Sequence, residues 1–254
     1  MATLIFLALV QSLTEFLPIS SSGHLLLANL FGFSHQGLEV DVALHVGTLL
    51  AVIIYFWRDI WDMMSLKNLR LMMQLIVGTL PVIGVGLLIH FYHLPLLRGA
   101  FVVGIGSIFF GWLLWRVDEK YPCHRKIDQM EYKDAFLIGL SQVLALIPGT
   151  SRSGITMTCA RWRGFKREES ARFSMLLSIP TIMLAGIYTA WQALQGQLVL
   201  PSQLDLSCAM LAAALFGLAA IAFLMKWVQK ASFFVFALYR IVLGVIVIFY
   251  FFSN

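Results

Sequence analysis

Gln11 and Glu15 lie four residues apart, so on a helix they share one face, inside an otherwise apolar stretch. Ser20, Ser21 and Ser22 follow, and then His24. Much later, Pro148, Gly149, Thr150, Ser151, Arg152, Ser153 and Gly154 form a second polar island in apolar sequence. Each island reads as a helix, a break and a new helix. Pro18 and Pro148 end the first helix of each pair. Ser20, Ser21 or Ser22 caps the second in one island, and Thr150 or Ser151 in the other. A helix N-terminus offers unpaired N–H groups and about half a positive charge, which suits an anion. Arg152 adds a planar fork of donors matched to phosphate oxygens. Thr150, Ser151 and Ser153 supply further hydroxyls there, as Ser20 and Ser22 do at the other break. His24 falls in the first turn of its helix, where the dipole favours neutral imidazole, a candidate base. Ser21 or a neighbouring hydroxyl is then the candidate nucleophile. Glu15 either orients His24 or holds a divalent cation with Gln11 beside it. One carboxylate and one amide cannot cage Mg²⁺ or Ca²⁺, so substrate phosphate oxygens and water must complete any such site. The plain alternative is ordinary capping, with Arg152 paired to Glu15 for structure alone.

The elements that must position these residues belong to a membrane. Of 254 residues, 60% are hydrophobic and only 12% charged, against roughly a quarter charged in a soluble domain. Six runs are long enough to cross a hydrocarbon core of about 30 Å: residues 40–57, 71–90, 99–115, 173–194, 204–225 and 233–252. The broken stretches, residues 4–33 and 135–159, have halves too short to span and read as re-entrant hairpins. Irregular backbone at membrane depth is tolerated only inside protein or beside a water-filled cavity. With both hairpins re-entrant, one set of loops (residues 58–70, 116–133, 161–172 and 226–230) carries 15 of the 18 Lys and Arg. That face is then cytoplasmic and both termini lie outside. Making residues 135–159 a full crossing abolishes the bias. The net charge of +5 is therefore a topology signal, not a nucleic-acid footprint. Ionisable residues within such segments are costly and functional by default, which favours chemistry for Glu15 and Arg152 over scaffolding.

The two breaks resemble each other, each is followed by three spans, and Arg98 and Arg240 fall near the start of each third span. Two repeats, about 1–117 and 131–254, are expected in a single membrane domain. Three crossings separate the copies, so they are inverted, and their tips meet near the midplane. The expected fold is an all-α polytopic membrane protein with six full transmembrane helices and two re-entrant hairpins. His45 is expected either to line the cavity or to pack. Arg240 is expected to pair with Glu39 or Asp41, or to reach toward the surface. The basic residues at 161–172 read as topology determinants. Cys123, Cys159 and Cys208 make no CxxC pair and no metal spacing. The first apolar run lacks a preceding Lys or Arg, unlike a cleaved signal.

The segments Gln11 to Glu15, Pro18 to His24 and Pro148 to Gly154 resemble the two signature motifs of the bacterial undecaprenyl pyrophosphate phosphatases, the bacitracin-resistance family. Segments around Asp41 to His45, Ala171 to Pro180 and Phe236 to Arg240 are also similar to it, so the resemblance covers nearly the whole chain. It implies removal of the terminal phosphate of undecaprenyl pyrophosphate at the bacterial inner membrane. That recycles the lipid carrier for cell-wall synthesis and confers bacitracin resistance. It also implies an outward-opening site and dependence on Mg²⁺ or Ca²⁺. By position Glu15, Ser21, His24 and Arg152 match the essential residues, with Ser20, Ser22, Thr150, Ser151 and Ser153 in the binding shell. Gln11 stands where many members have glutamate, which shifts metal binding toward Glu15. The preferred chemistry is Ser21 as nucleophile and His24 as base, with attack by His24 or water left open. The partners expected are a polyprenyl pyrophosphate lipid and the bilayer, with a homodimer compatible. The competing function is a polyprenyl-phosphate transporter on the same fold. A Ser-Gly-His lipid phosphatase of the other superfamily is excluded, because no second histidine follows Arg152.

Overall fold

The computed structural model describes residues 2–21, 23–24, 38–92, 99–194 and 202–253. Ser22 and Arg98, and the side chains of Glu39 and Asp41, lie outside the described residues. The described chain is helical, with no strand among its residues beyond one isolated bridge between Arg125 and Phe165. Helix α1 (Ala2–Phe16) is 15 residues long and stops before Leu17 and Pro18, where proline disfavours helical backbone in the residue ahead of it. Helical backbone resumes at Ser21. Helix α2 (Leu38–Tyr55) bends by 79° into the short amphipathic α3 (Trp57–Met64). Then come α4 (Leu69–Tyr92) and α5 (Ala100–Lys120). The second broken stretch is α6 (Tyr132–Val143), a 3-10 turn (Leu144–Leu146), the break at Pro148, and α7 (Arg152–Trp162). Three long helices close the chain: α8 (Arg167–Leu194), α9 (Gln203–Lys230) and α10 (Phe234–Ser253).

Among the described residues five helices, α4, α5, α8, α9 and α10, are long and apolar enough to cross a membrane, and bent α2–α3 makes a sixth candidate. The chain is a multi-pass membrane protein. Helices α1, α6 and α7 have 15, 12 and 11 residues, each short of the roughly 20 a crossing needs. Several helices outrun their apolar stretches. Helix α8 starts at Arg167 rather than 173, because Glu168 and Glu169 in its first turn complement the dipole.

Helix α1 packs on α9, and α6 on α4; α5 packs on α10, and α2 on both α8 and α9. Where α5 crosses α10 the backbones nearly touch: a Cβ on Gly244 would sit 2.6 Å from the Gly104 carbonyl oxygen. In lipid, where apolar side chains gain little by leaving the tails, such small-residue crossings supply the packing.

Three aspartates tie the helix ends together. Arg161 is fully buried and uses every N–H it has. Nε donates to Asp118 Oδ1 at 2.7 Å, and the terminal nitrogens donate to the carbonyls of Asp118, Tyr121, Pro122 and Phe165. Arg167 joins Asp118, Arg125 and Arg163 clamp Asp134, and Arg172 pairs with Asp59. Burial alone would raise the Asp134 carboxyl, but hydrogen bonds from Arg125, the Glu131 N–H and Arg163 outweigh it and hold it below its usual value. The basic residues at 161–172 thus do more than mark topology: four of them form the joints between α3, α5, α6, α7 and α8.

Candidate active site

The two broken stretches, distant in sequence, meet. Arg152 Nη2 donates to Glu15 Oε1 at 2.7 Å, and both side chains are mostly buried, at 15% and 12% exposure. Ser153 Oγ donates to the Leu17 carbonyl at 3.1 Å, joining one break directly to the other. Ser151 is the N-cap of α7, its Oγ accepting from the Gly154 N–H at 3.2 Å and lying 3.2 Å from Ser153 Oγ. The second guanidinium nitrogen of Arg152 donates to the Ser174 carbonyl on α8 at 3.0 Å. The arginine therefore stands at a capped helix N-terminus, held from both sides, with its charge matched by one carboxylate.

Glu15 has company on its other oxygen. The Gln11 amide donates to Glu15 Oε2 at 3.2 Å, and its nitrogen lies 2.9 Å from His45 Nε2. An amide NH₂ carries two hydrogens, so one serves each partner and His45 accepts at Nε2. His45 Nε2 is also 3.6 Å from Glu15 Oε2. His45, undecided between cavity and packing in the sequence, belongs to the Glu15 cluster. No group of three or more His, Cys, Asp or Glu side chains suited to a metal occurs among the described residues.

His24 has a different neighbourhood from the one its sequence position suggests. Its Nδ1 lies 2.6 Å from the Ser20 carbonyl and its Nε2 lies 2.6 Å from the Tyr239 hydroxyl. The ring also stacks on Tyr239, with centroids 5.5 Å apart and planes 12° from parallel. A carbonyl oxygen only accepts, so Nδ1 carries the proton, and in the neutral ring Tyr239 donates to Nε2. Glu15 does not orient His24, and no hydrogen bond among the described residues joins Ser21 to either ring nitrogen. Ser21 is half-buried and Ser20 buried. Beside His24 and Tyr239 opens an apolar cavity of about 380 Å³ between α1 and α10, lined also by Val10, Leu13, Leu17, Ile19 and Phe236.

The break at Pro148 is pressed against α5. Gly149 has φ +91°, and a Cβ there would lie 3.0 Å from the Ser107 nitrogen, so both the backbone angle and the space require glycine. Ser151 too has positive φ, at 65°, a strained value for a residue other than glycine. Behind the break stands Arg240. It does not reach the surface: its side chain is fully buried, and Nη2 donates to the carbonyls of Gly149 at 3.0 Å and Thr150 at 2.5 Å. Arg240 Nε and Nη1, and the hydroxyl of buried Thr150, have no hydrogen-bond partner among the described residues. Sequence reasoning found Arg240 but not its acceptors, which are backbone oxygens, and it passed over Tyr239 in a span full of aromatic residues.

Residues 4–246 match the family model described as bacitracin resistance protein BacA. The chain is 45% identical over 253 residues to an undecaprenyl-diphosphatase of Hahella chejuensis, covering 95% of this chain and 94% of that one. It is 42% identical over 260 residues to an undecaprenyl-diphosphatase of Ruegeria sp., covering 97% of each chain. A third, from Desulforudis audaxviator, is 42% identical over 252 residues, covering 96% of this chain and 95% of that one.

Proposed function

Because the chain belongs to the bacitracin resistance protein BacA family, we propose that it hydrolyses undecaprenyl pyrophosphate to undecaprenyl phosphate and inorganic phosphate. The observation that carries the chemistry is the Glu15–Arg152 pair, joining the two broken stretches at the capped N-terminus of α7. A lipid pyrophosphate needs a cationic polar pocket at membrane depth and apolar walls for its tail. The Arg152 fork and the α7 N–H groups would receive the terminal phosphate and stabilise the charge that spreads over its oxygens. Attack at the terminal phosphorus breaks its bond to the bridging oxygen, and undecaprenyl phosphate leaves. His24, with Nε2 as its basic nitrogen, takes the proton of the attacking hydroxyl, from Ser21 or from water. Attack by Ser21 leaves a phosphoserine, which water must hydrolyse in a second step. The Tyr239 hydroxyl must first release Nε2, since one lone pair cannot accept from both groups.

A divalent cation fits only partly. Glu15 Oε2 would be a protein ligand, and Gln11, whose amide nitrogen faces Glu15 Oε2 and His45, would offer its oxygen only with its amide turned over, so Mg²⁺ or Ca²⁺ would depend on substrate phosphate oxygens and water for the rest. Bound there, it would neutralise charge on the phosphates.

The finer architecture belongs to the same proposal: six crossings and two re-entrant hairpins in inverted repeats, both termini outside, in the inner membrane, with the site opening outward. Three features support it. Helices α1, α6 and α7 are each too short to span alone, α1 packs on α9 as α6 packs on α4, and the two third spans α5 and α10 pack on each other. The relatives compared are named for hydrolysis, which gives the transport alternative no support. Phosphate release from undecaprenyl pyrophosphate by purified protein tests the proposal. Wild type should release phosphate, and Glu15→Ala, His24→Ala and Arg152→Ala should each lose at least about 10²-fold, with EDTA lowering the wild-type rate. A wild type that binds the lipid without releasing phosphate would leave transport as the reading.

A further inference from the structure

We infer that Tyr239 is the positioning residue of His24: its ring fixes the imidazole plane and its hydroxyl fixes the direction in which Nε2 points, while the Ser20 carbonyl sets the Nδ1–H tautomer. This rests on the role given to His24 in the proposed hydrolysis. The imidazole is held at three points. The Ser20 carbonyl takes the Nδ1 proton at 2.6 Å, the Tyr239 hydroxyl meets Nε2 at 2.6 Å, and the rings stack at 12°. Ser20 lies four residues before His24, in its own turn, whereas Tyr239 comes from α10 at the far end of the sequence. The contact thus ties the first broken stretch to the last helix. A base must present one lone pair in one direction, and the group on its other nitrogen normally sets the tautomer. Here both nitrogens are specified. The tyrosine hydroxyl both donates and accepts, so it serves the ring in either state. It donates to Nε2 in the resting ring, turns aside to free that lone pair for the proton of the attacking group, and can accept from Nε2–H once the ring is charged. Tyr239 also borders the apolar cavity of about 380 Å³ with His24, so a tail seated there would hold the pair together.

The test is Tyr239→Phe, which keeps the stack and removes only the hydroxyl, beside Tyr239→Leu, which removes both. Phosphate release from undecaprenyl pyrophosphate gives kcat and KM. Nitrogen-15 NMR of histidine-labelled protein gives the protonation and hydrogen bonding of each ring nitrogen, with the His24 signals identified by their disappearance in His24→Ala. One neutral hydrogen bond is worth about a factor of five to ten. Tyr239→Phe should therefore lower kcat about five- to tenfold with KM unchanged, and the His24 Nε2 resonance should move to that of an imine nitrogen without a hydrogen bond while Nδ1 stays protonated. Tyr239→Leu should lose more in kcat. Wild-type kcat in Tyr239→Phe, with His24→Ala inactive, would overturn this inference alone. A lower kcat with the Nε2 resonance unmoved would also overturn it, since that is what a packing role gives. A fully active His24→Ala would remove the reading of His24 as base, and this inference with it.

Discussion

Replacing Arg240 with methionine should separate the stability of this protein from its activity. Arg240 makes two hydrogen bonds, both to carbonyls of the break that leads into α7, and leaves two nitrogens without a partner among the described residues. Bonds from a charged donor contribute about 1.5–3 kcal/mol each, so roughly 3–6 kcal/mol is lost with them. Burying the guanidinium costs several kcal/mol in the native protein, and methionine of similar length does not carry that cost. The two nearly cancel. The net change should stay within about 2 kcal/mol, which for a chain of this size moves Tm by less than about 8 °C. Activity has no such offset. The freed carbonyls of Gly149 and Thr150 must turn toward other donors, and Arg152, two residues on, moves with them. A displacement of about 1 Å at a reacting group is enough to lose about 10²-fold. The assay is phosphate release per mole of folded, detergent-purified protein, beside a thermal melt of the same sample. Full activity in Arg240→Met would mean that the break holds its shape without the arginine. A melt that collapses in step with activity would mean that Arg240 is scaffold, and the cancellation argued above would be wrong.

Arg161→Met is the contrasting case: all five N–H groups are used and Asp118 loses its buried partner, so stability should drop by about 3–5 kcal/mol, a Tm fall on the order of 10 °C, with activity at low temperature retained. Gly149→Ala forces a Cβ onto a positive φ and against α5; it should cost roughly 2–4 kcal/mol by thermal melt and depress phosphate release as well. Asp134 is held below its usual value when folded, so its contribution is full above the unfolded value and disappears as pH falls through the folded one. Melts taken from neutral pH down through the carboxylate range should show Tm falling for wild type, and Asp134→Asn should start lower and fall less; parallel curves would remove Asp134 from the account.

The sequence discloses whatever is dictated by near neighbours. Pro18 and Pro148 mark breaks because serines, or glycine, threonine and serine, follow each of them, whereas Pro81 and Pro180 lie inside α4 and α8; both breaks, a cap at Thr150 or Ser151 and the six apolar runs are legible in the order of residues alone. The runs give helix centres well and helix ends poorly, because a helix continues past the bilayer as long as its backbone ladder and first-turn charges permit, as α8 does from Arg167. The meeting of Glu15 with Arg152 is legible too, since two costly opposite charges in apolar segments require a partner.

What stays hidden depends on acceptors that have no residue type. The sequence directs the search for an Arg240 partner to Glu39 and Asp41, whose side chains lie outside the described residues; its acceptors among the described residues are the carbonyls of Gly149 and Thr150. Any residue offers the same carbonyl, so no pattern of side chains could mark the pair. The same holds for Arg161, which reads as one basic residue in a topological cluster yet is stitched to four carbonyls and a single carboxylate. His24 follows the rule in a milder form. Its Ser20 contact is a within-turn carbonyl, and its Tyr239 contact pairs it with one aromatic residue in a span rich in them. A buried arginine thus has two possible histories. Arg161, with every donor used, is built for holding helices together. Arg240, with two nitrogens lacking an acceptor among the described residues at the root of the candidate anion site, adds positive charge where the diphosphate is proposed to sit, a placement that stability alone would not favour.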